Sequence, residues 1–165
     1  MKIEVQHTLY EPKGACQPIF DIRTRVFVEE QQVDRSEEFD GFESGSLHYL
    51  GTLDGNPAGT ARWRFTEKGI KLERFAVLRE FRNKGIAAAV LKQVLTDVIP
   101  FKKRIYLNAQ VTAIGFYERY GFKKEGPMFV EANIDHFVMT YNPGWNYFST
   151  TLFSLIMEPL VTLST

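Results

Sequence analysis

The chain is 165 residues long, 44% hydrophobic and formally neutral at pH 7. This length suits one domain with a sizeable core, and the balanced charge gives no electrostatic reason to expect a nucleic-acid partner. A single cysteine, Cys16, excludes an internal disulfide, and His7, His48 and His136 are too scattered to suggest a metal site.

Residues 1–4 contain an early acid, Glu4, and no apolar run, so they do not read as a secretory signal, and a cytoplasmic protein is expected. Residues 2–6 suit an edge strand. Cys16 precedes the first helix and is expected to be inert. Residues 18–30 carry apolar side chains at 19, 20, 22, 26, 27 and 28, mostly at helical spacing, which predicts a helix. Residues 29–43 hold seven acids against one base, Arg35. Such a run reads either as a solvated loop or as the border of a cleft that attracts a cationic ligand. Residues 47–53 and 57–65 form two strands joined by Asp54-Gly55-Asn56, a hairpin signal, and residues 70–77 form a third. Residues 85–98 predict a helix, stopped by Pro100. A strand over 104–108, a helix over 112–120 closed by Gly121, and strands near 122–125 and 135–141 follow. Antiparallel strands and then a β-α-β-α-β run predict one mixed, mostly antiparallel α/β sheet flanked by helices.

Pro143-Gly144 punctuates the chain, so residues 1–142 are expected to form the domain and 143–165 an apolar extension of it. Residues 145–157 carry no charge, but Asn146 and Ser149-Thr150-Thr151 interrupt them too much for a bilayer span. Without Lys or Arg they also suit a membrane surface poorly. Packing on their own domain, or a homodimer contact, is the expectation.

Residues 75–91 carry the clearest chemistry. An apolar strand ending at Val77 runs into a basic loop with Arg82, Lys84 and Gly85, and then into a helix of small residues. Main-chain N–H groups at a helix start are unpaired, and the helix dipole adds positive potential there. Gly85 permits close approach of a phosphate. The P-loop and dinucleotide fingerprints are both absent. The order Arg82-x-x-Gly85-x-Ala87 instead resembles the acyl-CoA loop of the GNAT superfamily of N-acetyltransferases, Arg/Gln-x-x-Gly-x-Gly/Ala. Ala113-x-x-x-Tyr117-Glu118-x-x-Gly121-Phe122 resembles that superfamily's second signature, at the expected distance. Residues 22–31, His48 and residues 134–139 are similar to its ElaA/YjcF-like branch.

The resemblance covers roughly residues 1–141 and implies a GNAT fold. It also implies an N-acetyltransferase that moves the acetyl group of acetyl-CoA onto a primary amine of a small molecule by direct attack, with no metal. A CoA-binding sensor without turnover and a protein-modifying acetyltransferase are the alternatives. Retention of Tyr117 favours the enzyme. By the same resemblance, pantetheine pairs with the main chain of Phe75 and Val77, and the pyrophosphate lies on Arg82, Asn83, Lys84, Gly85, Ile86 and Ala87. Tyr117 is the general acid, and Asn108 contacts CoA or acceptor. Asn83 and Arg79 depart from the commoner glycine and proline. The base is left open among Glu30, Glu73 and His136, Glu73 being placed near the thioester because it shares parity with Phe75 and Val77.

Overall fold

A computed structural model describes residues 1–143; the expectations for residues 145–157 lie outside the described residues. Seven strands form one sheet: β1 (Ile3–Thr8), β2 (Leu47–Leu53), β3 (Asn56–Thr66), β4 (Gly69–Val77), β5 (Ile105–Gln110), β6 (Phe122–Glu131) and β7 (Ile134–Tyr141). Their order across the sheet is β1-β2-β3-β4-β5-β7-β6. β4 and β5 are parallel, and the other neighbours are antiparallel. The mixed sheet read from the pattern is therefore present. The last hairpin is longer than expected, because Ala132 and Asn133 both adopt positive φ and turn the chain tightly after Glu131.

Helix α1 (Gln17–Arg23) starts with Pro18 and continues as a π-helix over Thr24–Glu30. Together they fill the span predicted as one helix. A short helix α2 (Arg35–Glu38) was not anticipated in the acidic run. Its signal is Asp34, whose carboxylate accepts from the Ser36 N–H at 2.7 Å, with Glu37 in the first turn. α3 (Ile86–Val98) and α4 (Ile114–Arg119) are the remaining α-helices among the described residues.

The alternation of the strands divides the core. Ala61, Trp63, Ile70, Leu72, Leu107 and Ala109 face α3, against Val90, Leu91, Val94 and Val98. Contact is so close there that a Cβ on Gly59 would fall 2.7 Å from Ile86 Cγ2. On the opposite face, Leu50, Ala76 and Leu78 meet Ile19, Ile22, Val26 and Phe27 of the first helix.

One irregularity matters most. Arg62 pairs with Glu73 but Thr60 pairs with Ala76, so Arg74 and Phe75 together oppose Ala61. Arg74 takes φ 60° to make this bulge. A bulge bends its strand. β4 pairs with β5 only from Ile70 to Leu72, against Ile105 to Leu107, and beyond that the two strands part.

Candidate active site

The splay leaves one edge of β4 unpaired. Leu78 N–H bonds to the Ala58 carbonyl, so Ala76 and Leu78 turn their main chain toward β3. Phe75 and Val77 therefore turn theirs into the gap. The Val77 carbonyl is already engaged by Arg82 Nε at 3.0 Å.

The loop below the gap is shaped for an anion. Asn83 and Gly85 adopt φ of 60° and 87°, and Gly85 is the N-cap of α3 with no side chain capping it. The first bond of the helix runs from Ala89 N–H to the Gly85 carbonyl. The N–H groups of Ile86, Ala87 and Ala88 precede it and have no carbonyl within the helix to pair with.

Arg82 is not poised at this anion site. Its guanidinium meets Glu30 through two parallel bonds of 2.7 and 2.8 Å. This fork ties the end of the first helical unit to the loop. The hydrogen bond from Arg82 holds the Glu30 carboxyl below the usual carboxylate range, which makes Glu30 an anchor and a poor base. Lys84 Nζ donates to the Glu80 carbonyl at 2.9 Å. Next to Glu30, Gln31 accepts from Gln110 Nε2 at 2.8 Å. One turn of π-helix thus reaches both arms of the splay, β4 through Arg82 and β5 through Gln110.

A cavity of about 500 Å³ passes through the gap. Phe75, Leu107 and Tyr117 line it from the α3 side, and Glu73, Asn108 and His136 from the other. The structure thus brings Tyr117, Asn108, Glu73 and His136 together, whereas Glu30 and residues 82–87 lie outside this cavity, at the mouth of the splay.

Tyr117 packs edge-on against Phe75 and Phe122, with centroids 5.9 and 5.8 Å away. Burial alone pushes its phenol well above the ordinary range, so it is a proton donor and not a phenolate. His136 Nδ1 lies 2.7 Å from the Ile134 carbonyl. A carbonyl only accepts, so the proton of the neutral ring sits on Nδ1 and the lone pair on Nε2. The ring stacks on Phe129, and Nε2 lies 4.0 Å from Glu131.

The parity argument for Glu73 fails because the bulge at Arg74 inverts the alternation. Glu73 faces Arg62, away from Phe75 and Val77. Burial would raise its carboxyl, but hydrogen bonds from Arg64 and the charges of Arg62 and Lys71 hold it down to about 2. Sequence reasoning also missed how the acidic run is used. Glu38 pairs with Arg23 and Arg74, Glu43 with Arg23 and Arg62, and Asp40 with Arg62 and Arg74. Arg23 and Arg62 are 1% and 0% exposed. In the sequence these are ordinary charges, Arg23 ending a helix and Arg62 on a strand, and only the packing of the helices on the sheet reveals their burial. Cys16 is fully buried, its Sγ donating to the Leu9 carbonyl at 3.4 Å.

Residues 10–143 match the family model of the acetyltransferase (GNAT) domain. The Bacillus subtilis strain 168 protein YjcF, an uncharacterized N-acetyltransferase, is 36% identical over 126 residues, covering 73% of this chain and 87% of YjcF. Among solved structures, an acyl-CoA N-acyltransferase from Pseudomonas aeruginosa superposes with a TM-score of 0.75 at 22% identity, over 84% of this chain and 99% of that one. Escherichia coli ElaA does so with a TM-score of 0.75 at 20% identity, with the same coverage.

Proposed function

The chain belongs to the GNAT acetyltransferase family, in its YjcF/ElaA-like branch, and we propose that it transfers the acetyl group of acetyl-CoA directly to a primary amine. The observation that carries this reading is the parting of β4 from β5 after three residue pairs, between an uncapped helix start and a cavity lined by Tyr117, Asn108 and His136.

The N–H groups around Gly85 would hold the pyrophosphate, with Asn83 shaping the turn and Lys84 adding charge. The free main-chain groups of Phe75 and the Val77 N–H would pair with the pantetheine amides as a missing strand does. Acetyl-CoA supplies the activated acyl carbon as a thioester. Asn108 orients the acceptor or the thioester. His136 Nε2 takes a proton from the amine, and Glu131 steadies the imidazolium that results. Tyr117 delivers a proton to the departing thiolate. Glu30 and Glu73 are excluded as bases in this reading because each carboxyl is held down by arginines.

Of the acidic run that suggested a cationic acceptor, Glu30, Glu38, Asp40 and Glu43 are engaged with arginines. The expected homodimer rests on residues 145–157, which lie outside the described residues. Among the described residues no helix is long and apolar enough to cross a membrane. A cytoplasmic setting and a domain spanning residues 1–142 stay part of the proposal.

Acetyl-CoA turnover over a panel of amines, with products identified by mass spectrometry, tests the reaction. Tyr117→Phe should lower kcat by about 10²–10⁴-fold with little change in the KM for acetyl-CoA; turnover within a few-fold of wild type would remove the acid role. Gly85→Glu places a carboxylate at positive φ in the loop and should abolish CoA binding by calorimetry. Unchanged affinity in a folded variant would overturn the loop assignment.

A further inference from the structure

Beneath the cavity, cations crowd onto a single carboxylate. Arg64 on β3 and Lys71 on β4 stand directly opposite each other. Like charges in that position repel and weaken a sheet. Both reach the same carboxylate, with Arg64 3.1 Å and Lys71 3.0 Å from Glu73, which Arg62 also contacts at 2.7 Å. Three cations therefore share one anion. Over the whole layer, Arg23, Arg62, Arg64, Lys71 and Arg74 face Glu38, Asp40, Glu43 and Glu73. Arg23 Nη1 is left as a buried donor without a partner among the described residues. Of the five cations, Arg64, Lys71 and Arg74 line the cavity.

Lys71 and Asn108 also line an open groove next to the cavity, with Lys68 and Arg104 answered there only by Glu125. The opposite end of the cavity has the other sign. Glu131 stands beside His136. The two ends are separated along the sheet. Lys71 is level with Tyr106 of β5, whereas His136 is level with Gln110, four residues further on. That is about 13 Å of strand.

We propose that Arg64 and Lys71 form the anion subsite of the acceptor, and that the acceptor is an amine bearing a carboxylate several bonds away from it. This rests on the acetyl-transfer reading. The amine lies at the His136 end, where Glu131 favours an ammonium before deprotonation. The carboxylate lies at the Arg64–Lys71 end, where it would relieve the like-charged pair. A diamine would bring a second cation against these two side chains and be rejected.

Three acceptors of one chain length read this out: ω-aminohexanoate, hexylamine and hexamethylenediamine. The kcat/KM for aminohexanoate should exceed that for hexylamine by about tenfold, the scale of one charge-assisted hydrogen bond, with the diamine poorest. In Lys71→Met, and separately in Arg64→Gln, the preference for aminohexanoate over hexylamine should collapse to about twofold or less. Equal rates for the three, or a preference for the diamine, would overturn the subsite while leaving the acetyl-transfer reading intact. Calorimetry with hexanoate, which has no amine, makes the test independent of turnover. Hexanoate should bind the wild-type chain and not Lys71→Met, and failure to bind wild type would overturn the proposal even if no amine were acetylated. Absence of acetylated product from every amine, with hexanoate still bound, would instead remove the transferase reading.

Discussion

Under α3 the sheet meets Val90, Leu91, Val94 and Val98, all 0 or 1% exposed, whereas under α1 and α2 it meets Arg23, Arg62, Glu38, Glu43 and Glu73, all 8% exposed or less. One face is thus buried by apolar packing, whereas the other combines an apolar cluster under the first helix with an ionic layer beside it. Apolar burial is non-directional, and it fixes α3 by shape, through the close approach at Gly59. A buried ionic layer is directional. It adds little net stability over an apolar one of equal volume, but each partner is held at a defined distance and angle. The directional layer is also the one that borders the cavity. Apolar packing at α3 serves stability, and the ionic layer beside the cavity serves precision.

Breaking the ionic face should have the largest effect. Arg62→Met removes the shared partner of Asp40, Glu43 and Glu73 and should cost about 3–5 kcal/mol in denaturant unfolding, because buried carboxylates lose their counter-charge. A loss near zero would mean that the layer is wet and weakly coupled. On the apolar face, Leu91→Ala should cost about 2–5 kcal/mol, as cavity formation does elsewhere. That cost should be the same at pH 7 and pH 4, which separates the two kinds of burial.

The third effect sharpens that contrast through acid. The Glu73 carboxyl is lowered from 4.5 to about 2 on folding. Its contribution is therefore present in full above about pH 4.5 and is lost as the pH falls toward 2, an amount on the order of 3 kcal/mol. Wild type should lose stability across that window, and Glu73→Gln should lose less. Identical acid profiles for the two would remove Glu73 from the account. The smallest effect belongs to the pair at the mouth of the splay. Glu30 and Arg82 are partly exposed, at 25 and 36% of their side chains. Glu30→Gln should raise the KM for acetyl-CoA by about fivefold or less, as the loss of an exposed ion pair implies. It should not change the pH dependence of kcat, as loss of a base would.

The sequence was most legible where pattern and local chemistry agree. The β2–β3 hairpin, the small residues opening α3, and the strand–loop–helix order through residues 75–91 all stand where they were read. Two features were not legible. Whether Arg23 or Arg62 is buried depends on what lies above it, and the carboxylates that meet them, Glu38, Asp40 and Glu43, come from a distant part of the sequence. The bulge at Arg74 leaves no mark in the alternation, since Glu73, Phe75 and Val77 keep odd numbers while the strand between them turns over. Arg82, read as a phosphate ligand, meets Glu30, 52 residues away along the chain, a pairing that no local pattern marks.

Among the described residues, β4 and β5 pair over three residues only, at the centre of the sheet. Such a seam is the place where a structure opens first, so the halves should behave as separate cooperative units in amide hydrogen exchange. The Phe75 and Val77 amides should exchange fast in the free chain. A bound molecule that pairs with both would slow them, and would also fuse the two exchange units into one. The polypeptide would then be an unfinished sheet, and its co-substrate the stitch that closes it.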